Sequence, residues 1–225
     1  MRCLRYCVLL LLLCLSLTLS VSAESEVLRR VPTDGMQIAI TFDDGPHPTL
    51  TPRILEILDR YGVSATFFMV GRNVINYPDA ARAVLAAGHE IGNHTFSHGR
   101  VAALNEATLA EEIGRCEDAL EELCEYRPHL FRPPEGALTE ALMRCTETGD
   151  YRVVLWSLDT RDWENKNADE IVACVLQRIK PGDIILMHDY IGRKSKTPEA
   201  LERLLPELLR RGFEPVTVSR LLGEG

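Results

Sequence analysis

His94-Thr95-Phe96-Ser97-His98 places two imidazoles four residues apart, and Asp43-Asp44 places two carboxylates side by side. Histidines at i and i+4 can meet one divalent metal ion if the backbone between them turns helically. Asp44 could complete a set of two histidines and one carboxylate. Three protein ligands with an open fourth position describe catalytic zinc, whereas structural zinc is closed by four. A mixed nitrogen and oxygen set also accepts other ions, so the expectation is one divalent metal, Zn2+ first, with Co2+, Ni2+, Mn2+ or iron as alternatives. With Asp44 committed to the metal, Asp43 is free to act as a base. The cation also explains how adjacent carboxylates coexist, because it neutralises their repulsion. Without it, Asp43-Asp44-Gly45-Pro46 reads as a surface turn and the histidines as unrelated loop residues. His89, which lies before the end of its strand candidate, is expected to be structural.

A scaffold must bring these residues together. Strand candidates at 36–42, 65–70, 90–93, 130–132, 152–157, 183–188 and 214–218 alternate with helical patterns. The helices carry recognisable punctuation: Pro52 and Gly62, Pro78 and Gly88, Thr139 and Gly149, Asn167 before Asp169 and Glu170, Thr197-Pro198 and Gly212. A longer acidic helix covers about 106–125, and Pro206 is expected to kink the last helix. Strands alternating with helices demand a parallel sheet with right-handed crossovers. Asp43-Asp44, His94, Arg132, Asp159 and His188 fall at or just past the C-terminal ends of five strand candidates. In a barrel those ends converge on one face. The expected fold is therefore α/β, a deformed (β/α) barrel with about seven parallel strands, rather than an open doubly wound sheet.

Five motifs occur in order: TFDDGP (41–46), HTFSH (94–98), RPPEG (132–136), DTRDW (159–163) and LMH (186–188). Together they resemble the motifs of the polysaccharide deacetylases, the NodB-homology domain of the fourth carbohydrate esterase family, over about residues 36–221. The resemblance implies metal-dependent removal of N-acetyl groups from N-acetylglucosamine polymers. By position it implies Asp43 as general base, Asp44, His94 and His98 as metal ligands, and Arg132 orienting Asp43. Asp159 would stand behind the imidazole of His188, the general acid. Trp163 and Leu186 would wall a pocket for the acetyl methyl, with Pro134 and Glu135 also on the substrate side. The family often carries an aromatic residue where this chain has Glu135. The backbone N–H of Glu135 can still serve an oxyanion, while its side chain adds negative charge to the cleft. Asp162 is expected to do no more than shape its loop. The chemistry suits these types: an amide needs its carbonyl polarised and a water activated, an oxyanion needs donors, and a leaving amine needs a proton from a charged histidine.

Residues 1–23 have the layout of a secretory signal, with Arg2 and Arg5 before an apolar run and Val21-Ser22-Ala23 at a plausible cleavage point. Export is expected, with an uncleaved membrane anchor as the alternative. Removing this segment leaves 202 of 225 residues, and with two arginines gone and no acid the formal charge moves from −8 to −10. That size suits one domain, read as a linker at 24–35 and a catalytic domain at 36–225. Acidity without a basic cluster argues against nucleic acid as a partner. No protein partner is implied; the expected partner is an acetylated glycan, peptidoglycan or a relative. Cys116, Cys124, Cys145 and Cys174 allow three pairings or none. The competing functional readings are hydrolysis of another N-acyl substrate on the same scaffold, and a carbohydrate-binding domain with a degraded site.

Overall fold

A computed structural model describes residues 27–164, 166–190 and 195–224. The expected signal at 1–23 lies outside the described residues. Runs rich in apolar residues form eight short strands: β1 (Gln37–Asp43), β2 (Thr66–Met69), β3 (Glu90–Asn93), β4 (Leu130–Phe131), β5 (Arg152–Val153), β6 (Leu158–Asp159), β7 (Ile184–His188) and β8 (Glu214–Val216). Seven of them pair in the order β5-β4-β3-β2-β1-β7-β6, all parallel, and β8 pairs with the start of β1. The helices between them are α1 (Leu50–Tyr61), α2 (Gly71–Asn76), α3 (Pro78–Ala86), α4 (Glu106–Cys124), α5 (Glu140–Thr148), α6 (Ala168–Leu176), α7 (Thr197–Arg210) and α8 (Val218–Leu221). The result is the deformed (β/α) barrel expected from the strand and helix alternation.

Successive side chains of a strand point to opposite faces, and the core divides accordingly. Ile38, Ile40 and Phe42 of β1 join Phe67, Met69, Ile91, Ile185 and Met187 against the helices. Ala39 belongs to a second cluster with Phe68, Leu130, Val154 and Ile184 inside the curl. Thr41 and Asp43 continue that inner face, so β1 delivers Asp43 into the barrel at its C-terminal end. Register does the rest of the placing. Asp43 lies opposite His188 across the β1–β7 pair, and Asn93 lies opposite Phe131, which sets His94 beside Arg132.

Two details differ from expectation. The 152–157 segment is not one strand: the chain leaves β5, crosses the open side of the curl and re-enters as β6. Residues 28–31, expected within a linker, strap that side: Leu28 bridges Val154 in parallel and Arg30 bridges Asp183. Pro206, where a kink is expected, lies inside α7. The proline leaves the carbonyl of Glu202 without its helical donor, and the hydroxyl of Tyr61 donates to that carbonyl at 3.3 Å. Cys116, Cys124, Cys145 and Cys174 are all free thiols. Among the described residues no helix is long and apolar enough to cross a membrane.

Candidate active site

Asp44 leaves β1 with φ of 77°, a left-handed conformation that Asp tolerates better than most residues. Gly45 follows because nothing larger fits: a Cβ there would lie 2.2 Å from Oδ2 of Asp189. Asp189 anchors this turn. Its backbone N–H donates to Asp43 O at 3.1 Å, and its carboxylate accepts from Thr51 Oγ1 at 2.5 Å. Burial, with Asp44 and Asp43 nearby, pushes the Asp189 carboxyl up to about 7.

Arg132 is fully buried and therefore no surface cation. Its guanidinium donates to Asp43 Oδ1 (2.6 Å), Thr41 Oγ1 (2.7 Å) and the carbonyls of Val154 (3.1 Å) and Leu155 (3.0 Å). It also stacks 4.0 Å over the Phe68 ring. A buried charge needs such partners, and here they fix one edge of Asp43. The other carboxylate oxygen of Asp43 lies 3.8 Å from His94 Nε2.

The histidine pair meets Asp44 as the spacing anticipates. Asp44 Oδ1 sits 3.1 Å from His98 Nε2 and 3.5 Å from His94 Nε2, and one ligand atom from each residue falls within 4.8 Å of the others. Burial would raise the pKa of Asp44, but the two histidines overrule it and hold the carboxyl well below the usual range. Contact with Asp44 in turn raises His98. Asp44 Oδ1 is buried yet makes no hydrogen bond. An acceptor left unsatisfied between two imidazole nitrogens fits a bound cation, and the donor set suits a divalent one. His89 plays no part. It is buried, its Nδ1 accepts from Ala65 N at 3.2 Å, and burial pushes its pKa down to about 4.

His188 Nδ1 lies 2.8 Å from Asp162 Oδ1. This corrects the pairing with Asp159. Asp162 is buried, and its Oδ2 accepts from His188 N (2.9 Å) and Thr197 Oγ1 (2.7 Å). Burial works to lower the pKa of His188, but the hydrogen bond and charge of Asp162 raise it to about 9. Asp159 instead accepts from the N–H of Arg161 at 2.8 Å, tightening its own turn.

The carboxylates and imidazoles that these partners hold open on one cavity of about 500 Å3. Asp43, Asp44, His94, His98 and His188 line it, with Asp159, Glu135 and an apolar wall of Trp156, Trp163 and Leu186. Trp156 was missed in the sequence. Trp163 is 49 % exposed and Leu186 buried, so Trp163 is no core residue. Glu135 takes φ of 58° in the 3-10 turn Pro134–Gly136. Pro134 is buried in that turn and does not line the cavity.

The polysaccharide deacetylase family model matches residues 30–154. A peptidoglycan-N-acetylglucosamine deacetylase of Bacillus cereus is 43% identical over 85% of this chain and 91% of its own. The chain belongs to the polysaccharide deacetylase family. A chitooligosaccharide deacetylase of a Bradyrhizobium species is 36% identical over 79% of this chain and 86% of its own. Among solved structures, the Bc1960 peptidoglycan N-acetylglucosamine deacetylase superposes with a TM-score of 0.84 at 34% identity, covering 89% of this chain and 94% of that one. A CE4 family pseudoenzyme from Bacillus anthracis superposes with a TM-score of 0.83 at 27% identity, covering 89% and 70%. A polysaccharide deacetylase fold thus comes with and without activity, and the case for catalysis rests on side chains.

Proposed function

We propose that this polysaccharide deacetylase is an exported, metal-dependent hydrolase that removes N-acetyl groups from N-acetylglucosamine-containing glycan, with peptidoglycan its substrate and Zn2+ its metal. One observation carries the reading: a base paired with Arg132, an acid paired with Asp162 and an unsatisfied Asp44–His94–His98 set share a single cavity. The deacetylase names of the relatives support the substrate class, and the secretory layout of residues 1–23 supports export to the envelope.

A cation held by Asp44, His94 and His98 would polarise the amide carbonyl and make water a stronger acid. Asp43 takes the proton of the attacking water, held for that role by Arg132 at 2.6 Å. His188 protonates the leaving amine, because Asp162 keeps its imidazole charged through the neutral range. Trp156, Trp163 and Leu186 exclude water from the acetyl methyl. The backbone N–H of Glu135 is available to the oxyanion.

The deciding experiment treats a panel of acetylated glycans with the purified protein and one divalent metal, scored by mass spectrometry for loss of acetyl groups. Acetyl loss from peptidoglycan fragments is expected. An intact panel with every metal would overturn the reading. The apolar wall makes a second prediction: N-acetyl oligomers should be cleaved faster than N-butyryl ones. Overpacking costs about 1–3 kcal/mol, or roughly 5- to 150-fold in rate. Equal rates on the two substrates would show that the wall does not measure the acyl group.

A further inference from the structure

We propose that Glu112, on α4, is a positioning residue that holds His98 in its metal-binding pose by clamping Ser97. The inference rests on the reading of Asp44, His94 and His98 as the metal site.

The two histidines are not held alike. A metal-binding imidazole usually directs its second nitrogen to a carbonyl or carboxylate, which fixes the ring. His94 has this arrangement, with Nδ1 2.7 Å from the carbonyl of Arg132. His98 has no such support from another element: among the described residues its ring meets Asp44, the tilted His94 ring with centroids 5.1 Å apart and its own backbone, and the side chain is 38% exposed. Its pose must therefore come from the loop that carries it.

That loop is under unusual backbone demands, since both Thr95 and His98 have positive φ, 63° and 56°. Its first half is anchored from several sides. Asn93 Oδ1 accepts from Thr95 N at 2.9 Å, while Gly71 N and Arg72 N at the start of α2 donate to the carbonyls of Thr95 and Phe96 at 3.0 and 2.9 Å. Arg115 of α4 lies 3.7 Å over the Phe96 ring. Among the described residues Ser97 has one anchor. Glu112 receives both its N–H (2.7 Å) and its hydroxyl (2.9 Å), one on each carboxylate oxygen. Glu112 is only 9% exposed, and these two bonds satisfy it. Beyond Ser97, His98 N donates to Thr95 Oγ1 at 3.2 Å, which closes the turn once Ser97 is in place. Releasing Ser97 frees His98 and leaves His94 untouched.

The test measures Zn2+ affinity of the full chain by competition with a chromophoric chelator, in a double-mutant cycle of Glu112→Ala with His98→Ala. Glu112→Ala is expected to weaken Zn2+ by about 10- to 100-fold, as for other supports of metal ligands. In the His98→Ala background the same change should add less than about 2-fold, because its route to the metal is gone. Glu112→Gln should bind nearly as the wild type, since a carboxamide can accept from the Ser97 N–H and donate to its hydroxyl. If Glu112→Ala fails to fold in the chelator, Ser97→Ala carries the same cycle, with an expected loss of about 2- to 10-fold for one hydrogen bond. Wild-type affinity in the folded variant, or an equal loss with and without His98, would overturn the clamp. A wild-type chain that binds no Zn2+ would instead sink the site reading beneath it.

Discussion

Asp43→Asn is expected to keep the metal and lose about 10²–10⁴-fold in acetate release, the loss typical of a missing general base, whereas Asp44→Ala is expected to arrive without metal. The two carboxylates are neighbours in sequence but belong to different partners. Asp43 Oδ1 accepts from Arg132 at 2.6 Å, and asparagine retains that acceptor and nearly the same shape. Arg132 then keeps its hydrogen bonds and the fold survives, but a carboxamide cannot take a proton from water. Asp44 makes no hydrogen bond with its buried Oδ1, and alanine removes the single carboxylate from a set of three residues. Elemental analysis of both purified variants beside an acetate-release assay separates the roles. A metal-free Asp43→Asn, or one with full activity, would show that the division of labour is wrong.

How far the sequence reaches is clearest from register. β1 and β7 are apolar runs that end in the unusual residues, so their ends, and the Asp43–His188 juxtaposition, follow from placing both on one barrel face. Arg132 follows for the same reason, one residue past β4. The Asp159 assignment failed because β6 is only two residues long and its alignment has no sequence signal. Asp159 pairs with Leu186, two residues short of His188, so a carboxylate meant for His188 must come from further along the chain. The 3-10 turn Asp162–Glu164 supplies it. Trp156 escaped notice because it sits between β5 and β6, where a continuous strand was expected. The strap at residues 28–31 pairs through isolated bridges, too short to leave a period. Glu112 looks like one acid among many on α4; only its burial against Ser97 distinguishes it.

The corrected pairing leads to the second large effect: Asp162→Asn should pull the alkaline limb of the rate profile to lower pH, and Asp159→Asn should leave it in place. As general acid, His188 works only while protonated, so activity falls as pH rises through its pKa. Asp162 does most to hold that pKa at about 9, with the charges of Asp43 and Asp44 behind it, against burial, which by itself pushes below the ordinary 6.5. A fall from about 9 to 6.5 leaves roughly 30-fold fewer protonated molecules at pH 8, with more lost if burial then dominates. Asparagine cannot repair this by rotating. With its oxygen toward Nδ1, its amide faces the His188 N–H and the Thr197 hydroxyl, both of which now donate to Oδ2. With its amide toward Nδ1, it keeps that nitrogen deprotonated and favours the neutral imidazole, a poor acid. Among the described residues the Asp159 side chain hydrogen-bonds only the Arg161 N–H, so its neutralisation changes the turn and the cleft charge without altering the imidazole's partner. Rate profiles of the two variants between pH 5 and 10, each saturated with metal, provide the comparison. If the limb moves in Asp159→Asn and stays in Asp162→Asn, the acid is not held by the residue that contacts it.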